Sequence, residues 1–126
     1  MKDTRECQEL ENSKLIIDMP VERIVKNHLD IILLSKLIEK SMCGYDLIKE
    51  IYAQYNVLIS QGTVYPLLYS MKEEGILQVE STKDDMKTKR YFVTQYGRQI
   101  VEKKVDEFIK VERSILNSIK KDDTYV

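Results

Sequence analysis

The chain has 126 residues, 43% of them apolar and 33% charged, and a formal net charge of −1. This balance suits one modest globular core and excludes a disordered chain. The near-neutral charge also excludes a molecule that attracts nucleic acid over its whole surface, so any such reading has to rest on local charge.

Residues 1–18 are polar and charged, with Leu10, Leu15, Ile16 and Ile17 the main apolar content. They read as an arm or a short extra helix, and the first ten hold no apolar stretch of the kind a secretion signal needs. The longest apolar run, Ile31-Ile32-Leu33-Leu34, is far shorter than the ~18 residues of a membrane span. Cys7 and Cys43 form neither a disulfide framework nor a metal-ligand spacing, so the expectation is a reduced, cytoplasmic protein with no membrane partner.

Asp18-Met19-Pro20 is a helix-start signal, a capping acid followed by a proline suited to the first turn. From Val21 to Ile38 the apolar positions keep helical spacing, which predicts one helix, buried on more than one side in its middle. Met42-Cys43-Gly44 ends it. Tyr45–Tyr55 is a second amphipathic segment, with Leu47, Ile48, Ile51, Tyr52 and Tyr55 at helical intervals. A third helix opens at Ser60 and ends near Gly75, a residue suited to the left-handed position just past a helix.

Two short segments rich in β-branched and aromatic residues follow, Ile76–Glu80 and Arg90–Thr94, around the polar stretch Ser81–Lys89. They predict a hairpin. Thr94 then caps a last long helix. The order is helix, helix, helix, hairpin, helix, which is mainly α with a small β-hairpin. It is the order of a winged helix-turn-helix with a long C-terminal dimerisation helix. The expected division is an arm over 1–18, the winged domain over 19–96, and the C-terminal helix and tail over 97–126.

A helix that enters the major groove needs an apolar stripe to anchor it and a short-chained polar start to approach phosphate and base. Val64, Leu67, Leu68 and Met71 supply the stripe, while Ser60, Gln61, Thr63, Tyr65, Tyr69 and Lys72 fall off it. Pro66 lies in the second turn if Ser60 is the cap and in the first if Thr63 is, and the sequence leaves both open. From Ser81 to Arg98, Lys83, Lys87, Lys89, Arg90 and Arg98 outnumber Asp84 and Asp85 by three charges. A basic hairpin of this kind suits the phosphate backbone.

Three runs carry a family resemblance: Gly44-Tyr45-Asp46-Leu47, Ser60-Gln61-Gly62-Thr63-Val64-Tyr65-Pro66-Leu67-Leu68, and Glu73-Glu74-Gly75-Ile76. With Lys89-Arg90-Tyr91-Phe92-Val93-Thr94 and Gly97 behind them, the chain resembles the PadR-like transcriptional regulators over roughly Leu29 to Gly97. The resemblance implies a repressor that dimerises through its terminal helices. It also implies DNA contacts at Ser60, Gln61, Thr63 and Tyr65 and at the basic wing. The chain departs from the family in its N-terminal arm, its acidic pair in the wing, and its lack of tryptophan. Some family members bind aromatic compounds between tryptophans at the dimer interface, and that mode has no counterpart here.

His28 is the single histidine and reads as a packing or surface residue, and Cys43 reads as a small, partly buried hydrophobe. Helical spacing puts Tyr52 on the apolar face, while Tyr65 and Tyr69 either turn hydroxyls toward phosphate or pack on the preceding helix. No cofactor, metal or enzymatic activity is expected. Val101, Val105, Phe108, Ile109, Ile115, Leu116 and Ile119 on the last helix are the expected homodimer seam, beside which a small-molecule effector has a place. The competing reading is a winged-helix module that binds protein and never DNA, favoured by the net acidity and by Asp84 and Asp85.

Overall fold

The computed structural model describes residues 20–80 and 89–120. The expectations for the arm, for Asp18 as a cap, for Cys7, and for Lys83, Asp84, Asp85 and Lys87 in the wing lie outside those residues.

Two helices, α1 (Pro20–Asn27) and α2 (Leu29–Glu39), stand where the spacing predicts one. The ladder gives way at His28, which has φ −115° and ψ 24°. Its N–H is shared between the carbonyls of Ile24 and Val25, and its own carbonyl accepts from Ile32. Val25 before the corner and Leu29 after it are both buried, so the apolar rhythm runs across the break and hides it. Within α2, Leu29, Leu33, Leu34 and Leu37 fill the centre of the molecule.

Met42–Cys43 does more than end a helix: it is a strand, β1. It pairs with β3 (Arg90–Val93) in the register Met42 to Tyr91 and Cys43 to Arg90. On the other side of β3 lies β2 (Leu77–Val79), paired Leu77 to Val93 and Val79 to Tyr91. The predicted hairpin is therefore two strands of an antiparallel sheet ordered β1-β3-β2. A strand of two residues has no periodicity, so nothing in the pattern announces it.

Helix α3 (Gly44–Tyr55) begins directly after β1. Cys43 is its cap, the sulfur accepting from the Asp46 N–H at 3.4 Å, and the residue is buried. Asn56 closes the helix with φ 58°, a left-handed conformation that asparagine tolerates. Tyr52, expected on the apolar face, is 51% exposed, because Leu47, Ile48 and Ile51 already fill that side. Helix α4 (Gln61–Glu73) then anchors through Val64, Leu68 and Met71.

The far end of α4 is joined to the start of the long helix α5 (Gln95–Ile119). Gly75 takes φ 81°, its N–H bonds to the Lys72 carbonyl, and the Ile76 N–H bonds to Met71, the paired closure typical of a glycine-terminated helix. Thr94 caps α5, its Oγ1 accepting from the Gly97 N–H at 2.9 Å and donating to the Gly75 carbonyl at 2.7 Å. The Thr94 N–H meets the Ile76 carbonyl at 2.9 Å.

The first turns of α5 belong to the protomer's own core. Val101, expected in the dimer seam, is 1% exposed and packs in the central cluster. The boundary expected between residues 96 and 97 falls inside the first turn of this helix. His28 packs edge-on to Phe108 at a centroid distance of 4.7 Å, with Nε2 4.0 Å from the Glu112 carboxylate. Among the described residues, no helix is long and apolar enough to cross a membrane.

Gly97 faces the Ile76 backbone, and a methyl group there would be driven into the Ile76 carbonyl. Backbone cannot swing aside as a side chain does. Gly97→Ala is therefore expected to cost about 1–3 kcal/mol, seen as a lower urea midpoint with an unchanged slope.

Candidate nucleic-acid interface

The start of α4 is an open polar surface with a buried anchor behind it. Ser60 is the cap residue, which settles the alternatives around Pro66: the proline sits inside the helix, in its second turn. The Ser60 carbonyl accepts from the N–H groups of Thr63 and Val64. Its hydroxyl makes no capping bond and lies 3.0 Å from the Thr63 hydroxyl instead. Ser60, Gln61, Gly62 and Thr63 are all exposed. The first N–H groups of a helix have no partner within it, so this end offers both donors and a positive dipole end to an anion.

At 3.6 residues per turn, Gly62, Pro66, Tyr69 and Glu73 run along the middle of the exposed face. Gly62 has no side chain, and Pro66 has no N–H to return to the Gly62 carbonyl. The face is consequently low at its start, with Gln61 and Thr63 at its edges, and rises at the exposed ring of Tyr69 in the later turns. A shallow helix face of this kind can lie close to the floor of a groove. Lys72 is exposed in the last turn of the helix.

The two tyrosines diverge. Tyr65 is half-buried and its ring lies on Gly44, where a Cβ would come within 2.6 Å of Cε1. Its ring packs on α3, and the missing side chain at Gly44 lets the two helices approach. Tyr69 is 62% exposed, and its hydroxyl is hydrogen-bonded to Glu73, whose carboxylate holds the phenol proton above the ordinary range.

Two residues that sequence reasoning did not select are exposed on α3. Tyr45 is 50% exposed and the Lys49 ammonium lies 5.0 Å from its ring centroid. Both are off the apolar stripe, one turn apart, and that spacing with the adjoining Gly44 was the available signal.

The wing residues also diverge. Lys89 and Arg90 are half-buried at the base of the wing. The Arg90 guanidinium is engaged within the fold: Nη2 donates to the Ser41 carbonyl at 2.7 Å, and the carboxylates of Asp46 and Glu80 lie 3.9 and 3.7 Å away.

The candidate dimer residues separate into two groups. Val105 and Phe108 are half-buried. They line a groove of ≈450 Å³ with Ile31, Ile32, Tyr55 and Ile109. Ile109, Ile115, Leu116 and Ile119 are 42–63% exposed, and Val111, beside them, 56%. These large side chains occupy the part of α5 that lies beyond the protomer's core.

The contact between Gly44 and Tyr65 gives a direct check on how α4 is seated. Gly44→Ala should lower the unfolding midpoint by forcing the ring off its bed. The same change made beside Tyr65→Ala should cost almost nothing further, because the obstructing ring is gone.

Comparison with known proteins places residues 33–103 on the model of the transcriptional regulator PadR-like family, which is more than half of the chain. A PadR family transcriptional regulator from Eggerthella lenta DSM 2243 superposes with a TM-score of 0.71 at 21% identity, over 90% of this chain and 99% of that one. An uncharacterized protein from Lysinibacillus sphaericus is 27% identical over 96 residues, 73% of this chain and 88% of its own length. The transcriptional activator GvpE1 of Halobacterium salinarum is 35% identical over 60 residues, 47% of this chain and 31% of its own length.

Proposed function

Because the chain belongs to the PadR-like family of transcriptional regulators, DNA-binding proteins rather than enzymes, we propose that it works as a cytoplasmic homodimeric repressor with α4 in the major groove. The observation that carries this reading is the start of α4, where Ser60, Gln61 and Thr63 are exposed over the buried anchor of Val64, Leu68 and Met71. Gln61 and Thr63 are the residues assigned to base edges. Ser60, the helix N–H groups, Tyr69 and Lys72 are assigned to the backbone, with Tyr45 and Lys49 beside them. Lys83, Lys87 and Lys89 of the wing are assigned to phosphates. Tyr65 seats the helix.

A helix-turn-helix dimer reads two half-sites related by its own two-fold axis. The exposed stripe on α5 supports such a dimer, with Ile109, Ile115, Leu116 and Ile119 of one copy meeting the groove and stripe of the other. In this arrangement Val105 and Phe108 form the floor of the seam. The groove they line is also the place we assign to a small-molecule effector. The exposed ends of both helices leave the winged domain over residues 19–96 as the DNA reader and the helix beyond it as the clasp. Repression follows from occupancy, since a dimer seated across its operator blocks the polymerase without further machinery.

The experiment is selection of duplexes from a random-sequence pool, followed by fluorescence anisotropy on the recovered sequence and a scrambled one. Gln61→Ala and Thr63→Ala should each weaken binding to the selected duplex by roughly 1–3 kcal/mol and leave the scrambled one nearly unchanged. Equal losses on both would make them backbone contacts, and no enrichment from the pool would favour the protein-binding reading. Transcription in vitro from a template carrying the site should fall when the protein is added. A rise would make it an activator, as the name of the Halobacterium relative states for that protein.

For the clasp, Ile115→Asp with Leu116→Asp should yield monomer by light scattering, because an unpaired charge cannot remain in an apolar seam. A dimer that persists would place the seam elsewhere.

A further inference from the structure

Glu80 and Arg90 stand at the two ends of the wing. The Glu80 N–H donates to the Arg90 carbonyl at 2.9 Å, and the Glu80 carboxylate lies 3.7 Å from Arg90 Nε. The Arg90 side chain then crosses the outer strand of the sheet. Nη2 reaches the Ser41 carbonyl at 2.7 Å, Nε lies 3.4 Å from the Ser41 hydroxyl, and Nη1 lies 3.9 Å from the Asp46 carboxylate. Ser41 follows α2 and leads into β1, and Asp46 is in the first turn of α3. One guanidinium therefore joins the corner after α2, the start of α3 and the root of the wing.

Sequence position alone makes Arg90 a phosphate ligand, and 43% of its side-chain surface is exposed. The geometry argues otherwise. The short charge-assisted bond from Nη2 to a backbone carbonyl directs the fork back along the sheet, toward Ser41. The two carboxylates beside it also offset its charge, so it presents little net attraction to a phosphate. What it supplies is shape: a planar fork with donors on several sides, which an ammonium group cannot reproduce.

We infer that Arg90 is a positioning residue that sets the angle of the wing against α3 and α4, and touches no DNA itself. The inference rests on the DNA-binding reading above. Lys89, next to it at the root of the wing, reaches the backbone only when this strap holds.

The test uses the full chain, the duplex recovered from the random pool, anisotropy over a salt series, and circular dichroism as the check on folding. Arg90→Lys keeps the charge and loses the fork. Positioning predicts binding weaker by about tenfold with the fold intact. A direct phosphate contact predicts affinity and salt slope near wild type. Asp46→Asn with Glu80→Gln separates the two by sign. Removing two negative charges beside a phosphate ligand tightens binding, whereas removing the anchors of a strap weakens it by about two- to fivefold. Lys89→Ala completes a cycle. Its cost, about two- to threefold in the wild-type background, should vanish beside Arg90→Lys, because a displaced wing lysine has no phosphate to lose. Equal costs in both backgrounds would overturn the inference, as would tighter binding by the carboxylate pair variant. If Arg90→Lys does not fold, the carboxylate pair decides the matter alone. A wild-type chain that enriches no duplex overturns the DNA-binding reading and this inference together, whereas failure of the inference alone appears against normal wild-type binding.

Discussion

One threonine hydroxyl ties the end of α4 to the start of α5. Thr94 Oγ1 accepts from the first turn of α5 and donates to the carbonyl of Gly75, the residue that terminates α4. The Ile76 carbonyl receives the Thr94 N–H and lies against Gly97, so three backbone segments meet with no side chain between them. The end of α4 and the beginning of α5 are thus one junction rather than two elements in contact. Because the bonds are to backbone atoms, they hold direction as well as distance. A shift in α5 cannot leave α4 where it was.

The rest of the architecture follows from that junction. Helix α2 lies under it with a face of leucines, and α5 crosses α2 through Val101, Val105 and Phe108 before it runs beyond the core. Helix α3 meets α4 through Gly44 and Tyr65, so the position of α4 is bounded at its start by a ring on a glycine and at its end by the threonine cap. What remains exposed is of two kinds. One is the polar start of α4, and the other is the apolar far half of α5. A polar face and an apolar face at opposite ends of one connected unit are what a dimeric regulator requires.

Much of this was legible in the residues. Gly75 and Thr94 carry conformational and capping preferences strong enough to be read singly, and both act as read. The anchor Val64, Leu68 and Met71 was visible because helical spacing is periodic. The features that escaped are those without a period or with a borrowed one. The break at His28 keeps Val25 and Leu29 in phase, and a strand of two residues is too short to show alternation. Tyr52 and Val101 illustrate a different limit. Spacing shows that a residue lies near an apolar side, but how much of that side the neighbours leave uncovered is a property of the packed chain. Arg90 is the same problem in charge: the sequence shows a cation in a basic hairpin, and the carbonyl and carboxylates that hold it are remote in the chain.

The order of the strands carries a consequence for how the chain acquires its shape. Ser41 and Arg90 are 49 positions apart, yet among the described residues β1 pairs with β3 alone, which stands between it and β2. Helices α1 to α4 hold mostly local contacts and can form as the chain leaves the ribosome. The edge of β1 stays bare until residues 90–93 have been made and slotted in. Closing so long a loop is a slow step compared with helix formation. The sheet, and with it the root of the wing, is therefore the last part of the reading domain to be completed. A chain interrupted before that strand can seat the start of α4 on Gly44 but lacks both the root of the wing and the threonine that holds the helix's far end.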